Sequence, residues 1–191
     1  MARQCHRKQV VRVFAYVIAS DAGCAPNYAP PCLTLAICKP MIRRSAQRGD
    51  LILAFNGSRL GTNPHGVRWA GIVSEKLTFA DYWHDDRFAG KKPDRAAMPD
   101  NIYEPLGSDF RQVPNPAHGP GNKSRDLGGQ YVLTFAESWY LGNRAPVLPA
   151  EFGLRMFSGR RGHRVAELPD TAWTALQRWL DSQAPAARGY P

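Results

Sequence analysis

Several absences narrow the reading of this 191-residue chain before any motif is weighed. None of its four cysteines forms a Cys-x-x-Cys pair, so neither a disulfide framework nor a zinc ribbon is expected, and reduced thiols are the default. No apolar run approaches the ~18 to 20 residues that span a bilayer. Arg3, His6, Arg7, Lys8 and Arg12 interrupt the place where a secretory signal would need such a run, so a cytoplasmic protein without a membrane partner is expected. A phosphate-binding Gly-x-x-x-x-Gly-Lys-Ser/Thr loop, a dinucleotide fingerprint and a nucleophile-elbow sequence are also missing, and no cofactor is expected. Acidic residues are few beside basic ones, 16 against 25, for a net charge of +9 and a pI near 9.7. Such a chain projects a positive potential over about 8 to 10 Å in physiological salt. Nucleic acid or a nucleotide is the natural partner class.

What is present reads as one sizeable core. With 43% hydrophobic residues, the length fits one domain better than two. Residues 1–9 read as a basic arm, residues 10–183 as a single globular domain and residues 184–191 as a flexible tail. "VVRVFAYVIAS" (10–20) is a strand by its β-branched and aromatic content. "DAGCAPNYAPPC" (21–32) holds too many prolines for a regular element and is a loop with constrained dihedrals. "LTLAIC" is a short buried strand or a cleft wall, and "PMIRRSAQR" (40–48) is a short amphipathic helix. In that helix Met41, Ile42 and Ala46 are expected to face inward, and Arg43, Arg44, Gln47 and Arg48 to face solvent. "DLILAFNG" and "VRWAGIVSEKLTFADYW" read as strands, the second bending at Gly71 or at Ser74 to Lys76. "NIYEPL" and "FRQV" are short elements, and "QYVLTFAESWYLG" and "GHRVAELP" supply further strands. Residues 84–100 and "PNPAHGPGNKSRDLGG" read as loops. Asp170 is expected to cap "TAWTALQRWLDSQ", whose Trp173, Leu176, Trp179 and Leu180 form one stripe. The class is mostly β with inserted helices (α+β), as a small, partly open barrel with a C-terminal helix.

Asp21-x-Gly23-x-Ala25-Pro26-Asn27, then Cys38-Lys39-Pro40-x-Ile42-Arg43, then Gly49-Asp50, together with "WAGIVSEKLTFADYW" and "VLTFAESWYLG", resemble the nucleotide-modification-associated domain family of the second type. The resemblance covers roughly residues 10 to 165. It implies association with DNA base-modification systems, which favours DNA as the nucleic acid and adds protein partners of such a system. A weaker architectural similarity is to PUA, ASCH and EVE-like barrels, which hold nucleic acid or a flipped base beside an inserted helix.

The residues offer several sites. In the proline-restricted loop Asp21 and Asn27 are an acceptor and a donor for one edge of a base, or only close an Asx-turn. Backbone N–H groups at the start of the Pro40 helix, reinforced by Lys39 and Arg43, suit a phosphate or a carboxylate. Trp139 or Tyr140 can stack on a base, as can Trp69, Tyr82 and Trp83. Arg44, Arg160 and Arg161 are candidates for nucleic-acid backbone contacts. Cys38, beside Lys39 at a helix start, is a candidate nucleophile or a buried small hydrophobe. His84 with Asp85 and Asp86 is an acid–base or divalent-cation candidate, or a solvated loop edge. Cys24, Cys32 and Cys38 are spaced poorly for a closed metal site, and His118 lies alone in a loop. The leading expectation is a domain that recognises a nucleotide or modified base. The alternative is an enzyme acting on it through Cys38, or through Asp21 and His84, and a third is a protein-interaction module.

Overall fold

The computed structural model describes residues 10–60, 66–154 and 162–189. The expectations for the arm at 1–9 and for Arg160 and Arg161 lie outside the described residues. Strands β1 (Val10–Ile18), β3 (Leu51–Asn56), β4 (Val67–Ile72), β9 (Glu137–Tyr140), β10 (His163–Pro169) and β11 (Ala187–Arg188) form a six-stranded sheet in the order β10-β1-β3-β4-β9-β11. Strands β2 (Leu33–Leu35), β8 (Tyr131–Phe135) and β5 (Glu75–Thr78) form a second sheet in the order β2-β8-β5, and β6 (Tyr103–Leu106) pairs β7 (Asp109–Gln112) as a hairpin. The helices are α1 (Pro40–Ser45), α2 (Phe79–His84), α3 (Lys123–Leu127) and α4 (Asp170–Gln183). The fold is mostly β with a few short helices and a C-terminal helix, as the sequence implies, and none of the three sheets closes into a barrel.

Alternation along the strands sorts side chains into layers. Val13, Ala15, Leu51 and Leu53 point to one face of the large sheet, where Leu176 and Leu180 of α4 cover them. Phe14, Tyr16, Ile52 and Ala54 point to the other, against Leu33, Leu35, Leu133 and Phe135 of the second sheet. Beyond that sheet Ala36, Ile37 and Val132 pack with Phe79, Tyr82 and Tyr103. β1 and β3 are the parallel pair in the large sheet, and a parallel pair requires a crossover. That crossover carries the proline-rich loop, β2 and α1, and so brings Cys38 to the junction of the layers.

Several local expectations are corrected. α1 ends at Ser45 because Ala46 is already extended; Met41 is exposed and Arg43 is fully buried. "VRWAGIVSEKLTFADYW" breaks after Ile72 and hands its second half to the other sheet. Its end is helical because Thr78 and Asp81 form a capping box, so Tyr82 and Trp83 belong to α2. "QYVLTFAESWYLG" likewise divides at Ala136 between two sheets. The 114–129 loop contains α3. Pro169, not Asp170, precedes the first residue of α4. Within the last stretch of chain Ala187 and Arg188 pair with Ser138 and Glu137.

Candidate active site

Cys38 lies where the chain leaves β2 and enters α1, in a strained turn. Cys38 and Lys39 both occupy the left-handed region, with φ of 60° and 44°, a conformation that costs a non-glycine residue on the order of 1–3 kcal/mol. Pro40 then presets the first helical φ. The turn lifts the thiol out of the core: Ile37 is fully buried, and Cys38 is partly exposed. A nucleophile on a sharp strand-to-helix turn is presented in this way without any glycine-flanked motif.

Two residues far along the chain meet it. Cys38 Sγ is 3.0 Å from His118 Nε2, and His118 Nδ1 is 2.5 Å from Asp126 Oδ2. Asp126 Oδ2 also accepts from the Tyr103 hydroxyl at 3.0 Å, while Oδ1 accepts the Cys38 backbone N–H at 3.0 Å. The carboxylate therefore fixes the imidazole with Nδ1 protonated and Nε2 aimed at sulfur, the division of roles in a nucleophile–base–orienter triad. Asn115 places the histidine: its Oδ1 accepts from the N–H groups of Ala117 and His118, and its amide donates to the Pro99 carbonyl. Gln112 holds the His118 carbonyl at 2.8 Å.

The electrostatics agree with this geometry. Burial disfavours charge on His118, but its bonds to Asp126 and Cys38 prevail and raise its pKa to about 9. Burial likewise opposes ionisation of Asp126; the His118, Cys38 and Tyr103 donors outweigh it and hold the carboxyl below its ordinary value. At neutral pH the site holds an imidazolium between a carboxylate and a sulfur.

Arg43 staples the two halves. Its guanidinium donates to the carbonyls of Cys38 at 2.7 Å, Tyr131 at 2.6 Å and Asp126 at 2.5 Å. Burial lowers its pKa to about 10, against the opposing pull of Asp126, so it remains a cation at neutral pH. Gly129 makes room for it, since a Cβ there would lie 2.5 Å from the Arg43 Cζ. Arg43 is thus an internal brace and not a solvent-facing anion ligand.

Cys38 lies in the wall of a cleft of about 270 Å3 lined also by Lys39, Pro40, Met41, Ile42, Arg125, Gly162 and His163. Lys39 Nζ donates to the Val17 carbonyl at 3.1 Å and lies 4.3 Å from the centroid of the Tyr16 ring. Burial lowers the Lys39 pKa; nearby Cys38 raises it and Arg125 lowers it further. Burial, Arg164 and Lys39 hold His163 below its ordinary value. Among the described residues, no group of three or more His, Cys, Asp and Glu is placed to hold a metal ion.

The other candidates lie elsewhere. Asp21 accepts from Arg68 Nε at 2.5 Å, Tyr140 OH at 3.0 Å and Tyr28 OH at 3.2 Å, and the two tyrosine rings are 4.1 Å apart. Asn27 is engaged internally: its amide donates to Met98 O at 2.8 Å, and its Oδ1 accepts from Ala29 N and from buried Lys91. Trp139 is fully buried in the core beneath α4, and its indole donates to Asp181. His84 is exposed and bonds the Ala80 carbonyl, while Asp85 pairs with Arg87. Arg44 is exposed on α1. Of the residues singled out from the sequence, Cys38 and Lys39 meet in the cleft, Arg43 braces it from within, and Asp21 and Tyr140 meet in a separate network. The helix-start contribution expected for Cys38 is small, because α1 is a six-residue helix and the Cys38 N–H is directed at Asp126.

Sequence reasoning missed the pairing of His118 and Asp126 with Cys38. The separations, 80 residues for His118 and 88 for Asp126, leave no local spacing to read; the available signals were Asn115 as an Asx-turn former before His118 and an aspartate on a helical turn after it. No curated protein and no solved structure matches the chain. A family model described as nucleotide modification associated domain 2 matches residues 10–191, extending past the 10–165 stretch that carries the resemblance through the last strand and helix. The chain belongs to the nucleotide modification associated domain 2 family and, with it, to proteins associated with nucleotide modification.

Proposed function

We propose that this protein is a cysteine-dependent group-transfer enzyme acting on a nucleotide or a nucleic-acid base within a modification system. One observation carries the reading: Sγ of Cys38, His118 and Asp126 are in hydrogen-bonded series, 3.0 and 2.5 Å apart, at the wall of a cleft. The sulfur attacks an electrophilic carbon of the donor, the bond from that carbon to its leaving group breaks, and the His118 Nε2 proton passes to the leaving group. An acceptor, water or a nucleophile on the nucleotide, then gives its proton to His118 and displaces the sulfur, restoring the starting state. Asp126 keeps the ring in register, and Arg43 and Tyr103 keep Asp126 in place. The family's association with nucleotide modification and the net charge of +9 support a nucleotide or nucleic-acid substrate. Pure recognition at Asp21 and Asn27 is less well supported, because both side chains already bond within the protein.

The test uses p-nitrophenyl acetate as a general acyl donor. The expected result is one acetyl group per chain, mapped to the Cys38 peptide by mass spectrometry and absent in Cys38→Ala, with His118→Gln slowing both its arrival and its release. Acetyl groups spread evenly over Cys24, Cys32 and Cys38 would overturn the reading.

A further inference from the structure

Among its described lining residues the triad cleft has a one-sided charge: Lys39 and Arg125 line it, and no Asp or Glu does. Asp126 lies behind the wall, fully buried and already engaged by the Cys38 N–H, His118 and Tyr103. Arg125 adjoins it in sequence but stands off: its Nε is 3.7 Å from Asp126 Oδ1, beyond hydrogen-bond range, and its side chain is 53% exposed. Among the described residues no hydrogen-bond acceptor is placed on the Arg125 guanidinium, whose contact is that long ion pair with Asp126, so its donors remain available at the cleft wall. Lys39 has one of its three donors on Val17.

Lys39 and Arg125 both line one small cleft, Arg125 adds to burial in pulling the Lys39 pKa down, and an anion bound between them relieves that repulsion. Arg disposed as a free fork suits the paired oxygens of a phosphate, with Lys adding a point charge. Ligand pockets usually have about 300–1,000 Å3. At about 270 Å3 this one takes a single small group and not a length of strand.

We propose that Arg125 and Lys39 form an anion subsite that selects a substrate carrying a phosphate ester next to the carbon attacked by Cys38. The inference rests on the reading of Cys38 as a nucleophile. The phosphate can belong to a free nucleotide, as a dianionic monoester, or to a nucleotide within a strand, as a monoanionic diester, and both present anionic phosphate oxygens to the subsite.

Paired alkylating agents of nearly equal size test it, iodoacetate carrying the negative charge and iodoacetamide none. The rate of each at Cys38 is followed by peptide mass spectrometry, with glutathione as the free-thiol reference. Expected is an iodoacetate-to-iodoacetamide rate ratio about tenfold above that of glutathione, as one charge-assisted contact provides. Arg125→Gln should lower it and the double change with Lys39→Gln should bring it to the glutathione value, while Arg48→Gln, on exposed surface away from the cleft, leaves it unchanged. Inorganic phosphate should slow iodoacetate at Cys38 selectively. Deoxynucleoside 5′-monophosphates protecting better than a 5′-hydroxyl oligothymidylate assign the phosphate to a free nucleotide, and the reverse order assigns it to a strand. A ratio equal to that of glutathione, or one insensitive to Arg125→Gln, overturns the subsite. Failure of the nucleophile reading shows itself separately, as an iodoacetamide rate at Cys38 no higher than at Cys24 and Cys32.

Discussion

His118 couples the chemistry of the site to the stability of the fold. Its pKa of about 9 in the folded protein exceeds the ~6.5 of an unperturbed histidine. The folded state therefore binds the proton more tightly, and the resulting stabilisation is fully present below about pH 6.5 and is lost as pH rises through about 9. Urea unfolding followed from pH 6 to 10 should show stability falling across that window, and His118→Gln should remove that part of the fall. A pH profile identical in the two proteins would mean that His118 is not held as an imidazolium. Cys38 was legible as a candidate from its neighbours Lys39 and Pro40, but whether it was a nucleophile or a buried filler depended on a partner that no local sequence names. The same blindness applied to Asn27: its Asx-turn role and its amide donor were both readable, but buried Lys91, which takes its Oδ1, comes from a segment that reads as loop.

At the level of elements, the site is a contact between the β2–α1 turn and α3, held by Arg43. Removing the guanidinium takes a donor from three carbonyls, of which that of Asp126 keeps the Gly129 N–H, and leaves Asp126 without its brace, so Arg43→Ala should destabilise the fold by about 3–5 kcal/mol. Gly129→Ala forces the same guanidinium to move without deleting it. Since three hydrogen bonds hold that group, the variant should lower the unfolding midpoint and slow alkylation of Cys38 in the folded protein. Normal stability and normal thiol reactivity in Gly129→Ala would show that the Arg43 staple is not rigid. The sequence disclosed α1 through its proline and basic residues, and a surface face was the natural reading for Arg43. Its burial follows from tertiary carbonyls at Asp126 and Tyr131, which periodicity does not register. Similarly, "TFADYW" has strand composition, and the Thr78–Asp81 capping box overrides it.

Across the whole molecule, α4 and the triad occupy opposite sides of the large sheet. Leu176 and Leu180 seal one face, and β2, α1 and the site sit beyond the other. Leu176→Ala should cost about 2–5 kcal/mol in urea unfolding while the folded fraction keeps the wild-type alkylation rate at Cys38. A change in that rate would indicate coupling through the sheet. The mostly-β class, the C-terminal helix and most strands were readable from composition and turn signals. The assignment of consecutive strands to different sheets was not, because β8 and β9 are separated by Ala136 alone and only their partners distinguish them. The central claim, that Cys38, His118 and Asp126 act as one unit, is tested most directly by site-resolved iodoacetamide kinetics on Cys24, Cys32 and Cys38 at pH 7. Cys24 supplies an internal reference, since burial, with the nearby Cys38 and Asp100, raises its pKa to about 11. Cys38 should react at least about tenfold faster than Cys24 and Cys32, and His118→Gln and Asp126→Asn should each remove most of that advantage in protein that remains folded. Equal rates at all three thiols in the wild type, or a Cys38 rate indifferent to both substitutions, would contradict it.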